Sequence, residues 1–142
     1  MNKIDDFVPL LKETIGANKD FTMPVKGTSM LPFINEKHLV KLTAPVDLKK
    51  NDIIFYQRTN GQYVLHRIYK VEKDYYVLMG DNQTQEEKPI YNNQILAKAK
   101  EIIKKNKIHK LKGFGYRIYV FFWHNKIIRK LFFPFTRRFF ND

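Results

Sequence analysis

The sequence predicts a mainly β protein: an antiparallel β body entered through a short N-terminal helix and left through a basic amphipathic C-terminal helix. Three observations predict it. Between Phe21 and Ile103 the chain breaks into short runs of β-forming residues separated by turn signals. Residues 4–16 carry apolar side chains at helical spacing instead. From residue 104 onward, Lys and Arg alternate with large aromatics.

In the first helix Ile4, Phe7, Val8, Leu11 and Ile15 recur every three or four residues, Asp5 and Asp6 sit near its positive end, and Gly16 closes it. Residues 38–43 alternate loosely, as a strand would. Asp52–Thr59 is rich in β-formers and runs into Asn60-Gly61, a hairpin dipeptide that leads into a second strand over Gln62–Lys73. Tyr75–Met79 is the next strand and ends on Gly80-Asp81-Asn82. A polar loop containing Pro89 follows, and Gln94–Ile103 reads as a last strand or as a strand passing into a helix. Two parts result: a β domain over 1–103, and a basic aromatic segment over 104–142 that packs on the domain or on a membrane.

A chain of 142 residues has room for one real core. Its 44% hydrophobic content and 15% aromatics exclude a disordered chain. The absence of cysteine excludes a disulfide frame and a thiolate metal site, and the four histidines, His38, His66, His109 and His124, are too scattered to suggest a metal cluster. The net charge of +12 is one-sided: residues 102–141 hold eleven Lys or Arg and no Asp or Glu. Such a segment implies an anionic partner. Acids at Asp5 and Asp6, with no apolar run after them, do not read as a signal peptide, and no window is apolar enough to span a bilayer. The expected location is the cytoplasm or the cytoplasmic face of a membrane, as a peripheral protein.

The chemistry centres on Lys26-Gly27-Thr28-Ser29-Met30-Leu31-Pro32. Gly27 permits a tight turn and Pro32 stiffens its far side, so the Ser29 hydroxyl stands on rigid, irregular backbone. A hydroxyl needs a general base to act as a nucleophile near neutral pH. His66, in the middle of a predicted strand, is a candidate base, and Asp81, at a strand end, is a candidate for the acid that orients it. The Ser29 backbone N–H and the Thr28 hydroxyl or N–H are candidate oxyanion donors.

Gly27-Thr28-Ser29-Met30-Leu31-Pro32, Lys50-Asn51-Asp52-Ile53-Ile54, Val64-Leu65-His66-Arg67-Ile68 and Leu78-Met79-Gly80-Asp81-Asn82 together resemble the ordered motifs of type I signal peptidases. With His66 at the base position, the chain is similar to the branch that uses Ser and His rather than Ser and Lys. The resemblance covers residues 21–100. It implies a signal-peptidase-like β fold, no metal or organic cofactor, and acyl-enzyme cleavage of leader- or signal-type peptides after small residues. The family's further Asp after the Gly-Asp-Asn is replaced here by Gln83-Thr84-Gln85-Glu86-Glu87, so Glu87 or Glu86 is an alternative to Asp81 as the acid. The family's transmembrane anchor before the serine is also replaced, by a short charged helix.

A substrate would add a strand along an exposed edge, with Phe21, Met23, Val25 and Met30 as the expected contacts. Arg67, next to the base, points to the opposite face of a regular strand and reads as structural. Placing 119–133 on a helix sets Phe121, Ile127, Ile128, Leu131 and Phe132 against Lys126, Arg129 and Lys130. That pattern suits a segment lying in an anionic membrane interface, with Tyr119, Phe122, Trp123, Lys126, Arg129 and Lys130 as the contacts. Packing of the same helix on the sheet is the main competitor, and nucleic acid is the third reading. The alternative function is a non-catalytic adaptor that binds peptide or membrane through its tail. Nothing in the residues identifies the oligomeric state.

Overall fold

The computed structural model of the chain describes residues 3–131. Its elements run α1 (Lys3–Gly16), β1 (Phe21–Pro24), β2 (Leu39–Thr43), β3 (Ile53–Gln57), β4 (Tyr63–Val71), β5 (Tyr76–Met79), β6 (Glu87–Ile90), β7 (Ile95–Lys104), β8 (Lys107–Lys110) and α2 (Phe114–His124). Helical backbone resumes at residue 126 and continues to the end of the described residues.

The strands form one antiparallel sheet in the order β1-β2-β7-β3-β4-β5-β6, with β8 also on β7. The long strand β7 pairs with β2 over Lys98–Ile103, with β3 over Ile95–Lys98 and with β8 over Glu101–Lys104. Bulges between Lys41 and Leu42 and between Phe55 and Tyr56 bend the sheet. Side-chain alternation then feeds two cores. Ile53, Phe55, Val40, Leu42 and Ile102 face α1, whose Val8 and Leu11 are buried among them. Ile54, Tyr56, Ile68, Leu78, Ile90 and Ile95 form the second core.

The mainly β architecture with helices at both ends matches the expectation from sequence. The Pro89 segment, read as a loop, is the short edge strand β6, where a proline costs no ladder bond on its open side. Strand β8 was not foreseen. Lys105 and Asn106 both take positive φ, 49° and 62°, which is the two-residue hairpin turn. A lysine in that conformation gives no turn signal in sequence. The segment after residue 103 therefore continues the sheet before it becomes helical.

Candidate active site

Ser29 lies in a turn that begins at Gly27, whose φ of +79° is open to glycine and strained for other residues. Its backbone is held from below by the loop after β5. The Asn82 N–H donates to the Ser29 carbonyl at 2.8 Å, and the Asn82 amide group donates to the Thr28 carbonyl at 2.9 Å. The two backbones come so close that a Cβ on Gly80 would stand 2.5 Å from the Ser29 carbonyl oxygen. Only glycine fits there.

Ser29 and His66 line the same cavity of about 440 Å³, together with Met23, Val25, Thr28 and Leu65. The cavity opens between two strand edges. Among the described residues β1 pairs only with β2, and Tyr63–His66 of β4 pair only with β3, because β5 joins β4 from Arg67 onward. Of the expected substrate contacts, Met23 and Val25 are on the cavity. Phe21 and Met30 are not: Phe21 packs against the first core and Met30 is buried inside it. Met23 and Val25 belong to the same core but reach the cavity at its edge.

His66 is 1% exposed. Its Nδ1 lies 3.2 Å from the Tyr56 hydroxyl, and that hydroxyl donates to Glu87 Oε2 at 2.8 Å. Glu87 is itself gripped by Arg58, Nε to Oε1 at 2.7 Å and Nη2 to Oε2 at 2.9 Å. Burial raises the Glu87 carboxyl, but the Arg58 and Tyr56 hydrogen bonds outweigh it and hold the group below the usual carboxylate range. Burial and Glu87 push the Tyr56 phenol well above its ordinary value, so it keeps its proton. A tyrosine that donates to Glu87 has only its oxygen lone pair to offer His66. The His66 proton therefore sits on Nδ1, and Nε2 is left as the lone-pair nitrogen. Burial lowers the imidazole to about 4, against an opposing pull from Glu87, so it is neutral at neutral pH.

Asp81 is not the acid beside His66. Its carboxylate takes a two-pronged grip from Arg67, Nε to Oδ1 at 2.8 Å and Nη2 to Oδ2 at 2.9 Å, and a third bond from the Tyr119 hydroxyl at 2.9 Å. The reason lies in the ladder. Arg67 pairs with Met79, so Asp81, two residues on, falls on the Arg67 face. Ile68 pairs with Leu78 and Leu78 with Glu87, so Glu87 falls on the face shared by Ile68 and His66. Tyr56 reaches the same face because Ile54 pairs with His66. The sequence reading missed Tyr56, although the hairpin at Asn60-Gly61 sets this register. Arg67, read as structural, is that: it also donates to the Asn51 carbonyl and the Tyr116 hydroxyl and lies against the rings of Phe33, Tyr116 and Tyr119.

The C-terminal helix closes this network. The Trp123 indole N–H donates to the Asp81 carbonyl, and Arg129 donates to the carbonyls of Gly80 and Gln83. Tyr119, Trp123 and Arg129, expected at a membrane, are thus turned into the body, because a buried ion pair with spare lone pairs needs donors. Phe122, Lys126 and Lys130 remain exposed, Lys126 in an ion pair with Glu86 at 2.8 Å. Phe132 lies outside the described residues. Among the described residues no helix is long and apolar enough to cross a membrane.

No curated protein matches the chain significantly. The profile of one family does match, over residues 1–104, which takes in every strand from β1 to β7 and the whole of the Ser29 cavity. On that match, which spans most of its length and agrees with the β architecture, the chain belongs to the Peptidase S24-like family, a family of serine-peptidase type.

Proposed function

We propose that the chain is a serine endopeptidase acting on leader- or signal-type peptides through Ser29 and His66. The observation that carries this reading is that both residues line one cavity, with the His66 tautomer set by Tyr56 and Glu87 so that Nε2 is the free base. Ser29 Oγ attacks the scissile carbonyl carbon while His66 Nε2 takes the hydroxyl proton. The new oxyanion is met by the Ser29 N–H and by Thr28. As the C–N bond breaks, His66 returns the proton to the leaving amine and an ester to Ser29 remains. Water then attacks that ester, giving its proton to His66, and as the bond to Ser29 Oγ breaks His66 passes that proton to Oγ and the acid is released. Glu87, acting through Tyr56, steadies the imidazolium in each step, which offsets part of the burial penalty. Glu87 and Tyr56 are positioning residues.

The substrate would lie extended between the open edges of β1 and Tyr63–His66, adding main-chain hydrogen bonds to one or both. Met23, Val25 and Leu65 offer apolar contact along that path. The leader peptides in question would be those reachable on the cytoplasmic side, since the expected location is there.

The test is reaction of the full chain with a fluorophosphonate probe, followed by peptide mapping. We expect label on Ser29, lost in Ser29→Ala and in His66→Ala. A folded protein whose Ser29 stays unlabelled, or labels equally well in His66→Ala, would point instead to a non-catalytic β domain that binds peptide.

A further inference from the structure

Helix α2 is built inside out. Its tyrosine hydroxyls, its indole N–H and the following Arg129 face the sheet, where the Arg67–Asp81 pair uses them. Val120 is buried beside them, but most of the helix's hydrocarbon faces away. Phe114 is 81% exposed, Phe121 75% and Phe122 51%, with Ile118 between them, and the helical segment that follows Asn125 adds exposed Ile127 and Leu131. Positions 114, 118, 121 and 122 form one helical stripe, and nothing among the described residues covers it.

Two further features bear on what covers it. The stripe is rimmed by cations: Lys112, Arg117 and Lys130 are exposed, and residues 102–131 contain no acid. Beside the stripe lies a second cavity of about 570 Å³, lined by Lys50, Asn51, Tyr116, Arg117, Phe121 and His124. It joins two exposed cations to an aromatic wall that continues onto the stripe.

We propose that the outer face of α2 is a docking surface for an anionic lipid bilayer, with the Lys50–Arg117 cavity receiving a lipid phosphate and Phe114, Phe121 and Phe122 entering the interface. A hydrocarbon stripe with a cationic rim matches the two layers of a bilayer surface, acyl chains beneath and phosphates above. Ile118, Ile127 and Leu131 have no ring to stack on a base, which sets this face apart from one built for single-stranded nucleic acid. The mode is peripheral, since α2 is far too short to span. The proposal does not rest on the peptidase reading.

The test is co-sedimentation of the full chain with vesicles of phosphatidylcholine alone and of an equal mixture with phosphatidylglycerol. We expect binding to the mixed vesicles at least about tenfold tighter than to phosphatidylcholine. The double variant Phe121→Asp/Phe122→Asp should lose at least about tenfold in affinity, and Lys50→Glu/Arg117→Glu should lose about as much. All four positions are exposed, so melting temperatures should stay near that of the unaltered chain, and this is checked. Equal binding to both vesicle types overturns the proposal. So does mixed-vesicle binding that survives either double variant, and so does binding to a single-stranded oligonucleotide without binding to vesicles.

Discussion

At the scale of single residues, the hydroxyl of Tyr56 is the group on which the proposed chemistry turns. It stands between Nδ1 of His66 and Glu87, and it is the reason the imidazole carries its lone pair on Nε2. Replacing it by phenylalanine keeps the ring and removes the relay. The Nδ1–H of His66 would then be buried without a partner, at a cost of about 1–3 kcal/mol. The other tautomer, which has no lone pair on Nε2, would gain population. We expect Tyr56→Phe to slow fluorophosphonate labelling of Ser29 by roughly one to two orders of magnitude, with the fold retained by circular dichroism. Labelling at the unaltered rate would show that the tyrosine only packs. Ser29 and His66 were readable because each stands in a short motif with an order and spacing. Tyr56 was not, since a tyrosine in a strand looks like core until the hairpin register shows it diagonal to His66. Asp81 was misread for a related reason. A Gly-Asp-Asn at a strand end suits an orienting acid as well as it suits a partner for arginine. Only the ladder tells which face it joins, and it joins that of Arg67.

At the scale of elements, the C-terminal helix and the serine turn are two sides of one loop. Residues Gly80–Gln83 take hydrogen bonds from Trp123 and Arg129 on one side and give them to Thr28 and Ser29 on the other. The loop links the position of α2 to that of Ser29, and Gly80 is its tightest point. A methyl at Gly80 would meet the Ser29 carbonyl oxygen at 2.5 Å, and Gln83 Oε1 at 3.0 Å. The flexible Gln83 side chain can move away, but the Ser29 backbone has to shift. We expect Gly80→Ala to cost about 1–3 kcal/mol in thermal unfolding and to slow Ser29 labelling by more than that loss of folded protein explains. A variant that is less stable but labels at full rate would separate the loop from the reactivity of Ser29. The helix itself was legible in sequence as amphipathic, but its sides were not. Counting hydrophobicity puts tyrosine and tryptophan with phenylalanine. The structure sorts them by whether they carry a hydrogen-bond donor, because what they meet is an ion pair.

At the scale of the whole molecule, one bent sheet holds two cores, and His66 is buried on the side of the second. Its burial links the proposed chemistry to the acid stability of the entire fold. The folded-state value is about 4, below the ordinary histidine value of 6.5. Between those two, the unfolded chain binds a proton at this site that the native chain does not. Stability is then fully present above pH 6.5 and declines as the pH falls toward 4, by at most about 1.4 kcal/mol per pH unit for this one group. Glu87 acts in the same direction, but its held-down carboxyl contributes only as the pH drops through and below the ordinary glutamate range near 4.5. Its effect therefore lies mostly under that of His66. His124 is also lowered to about 4, chiefly by burial, but it is much more open to solvent and its share is smaller. The measurement is the midpoint of urea unfolding at half-unit steps from pH 7 to 4.5, for the unaltered chain and for His66→Gln. We expect the unaltered chain to lose stability steadily from pH 6.5 downward and the variant to lose most of that slope. Parallel curves would mean that His66 is as open to protons in the native protein as in the unfolded chain. Its neutral form would then have to be explained without burial, and the neutral base proposed for Ser29 would lose its physical footing.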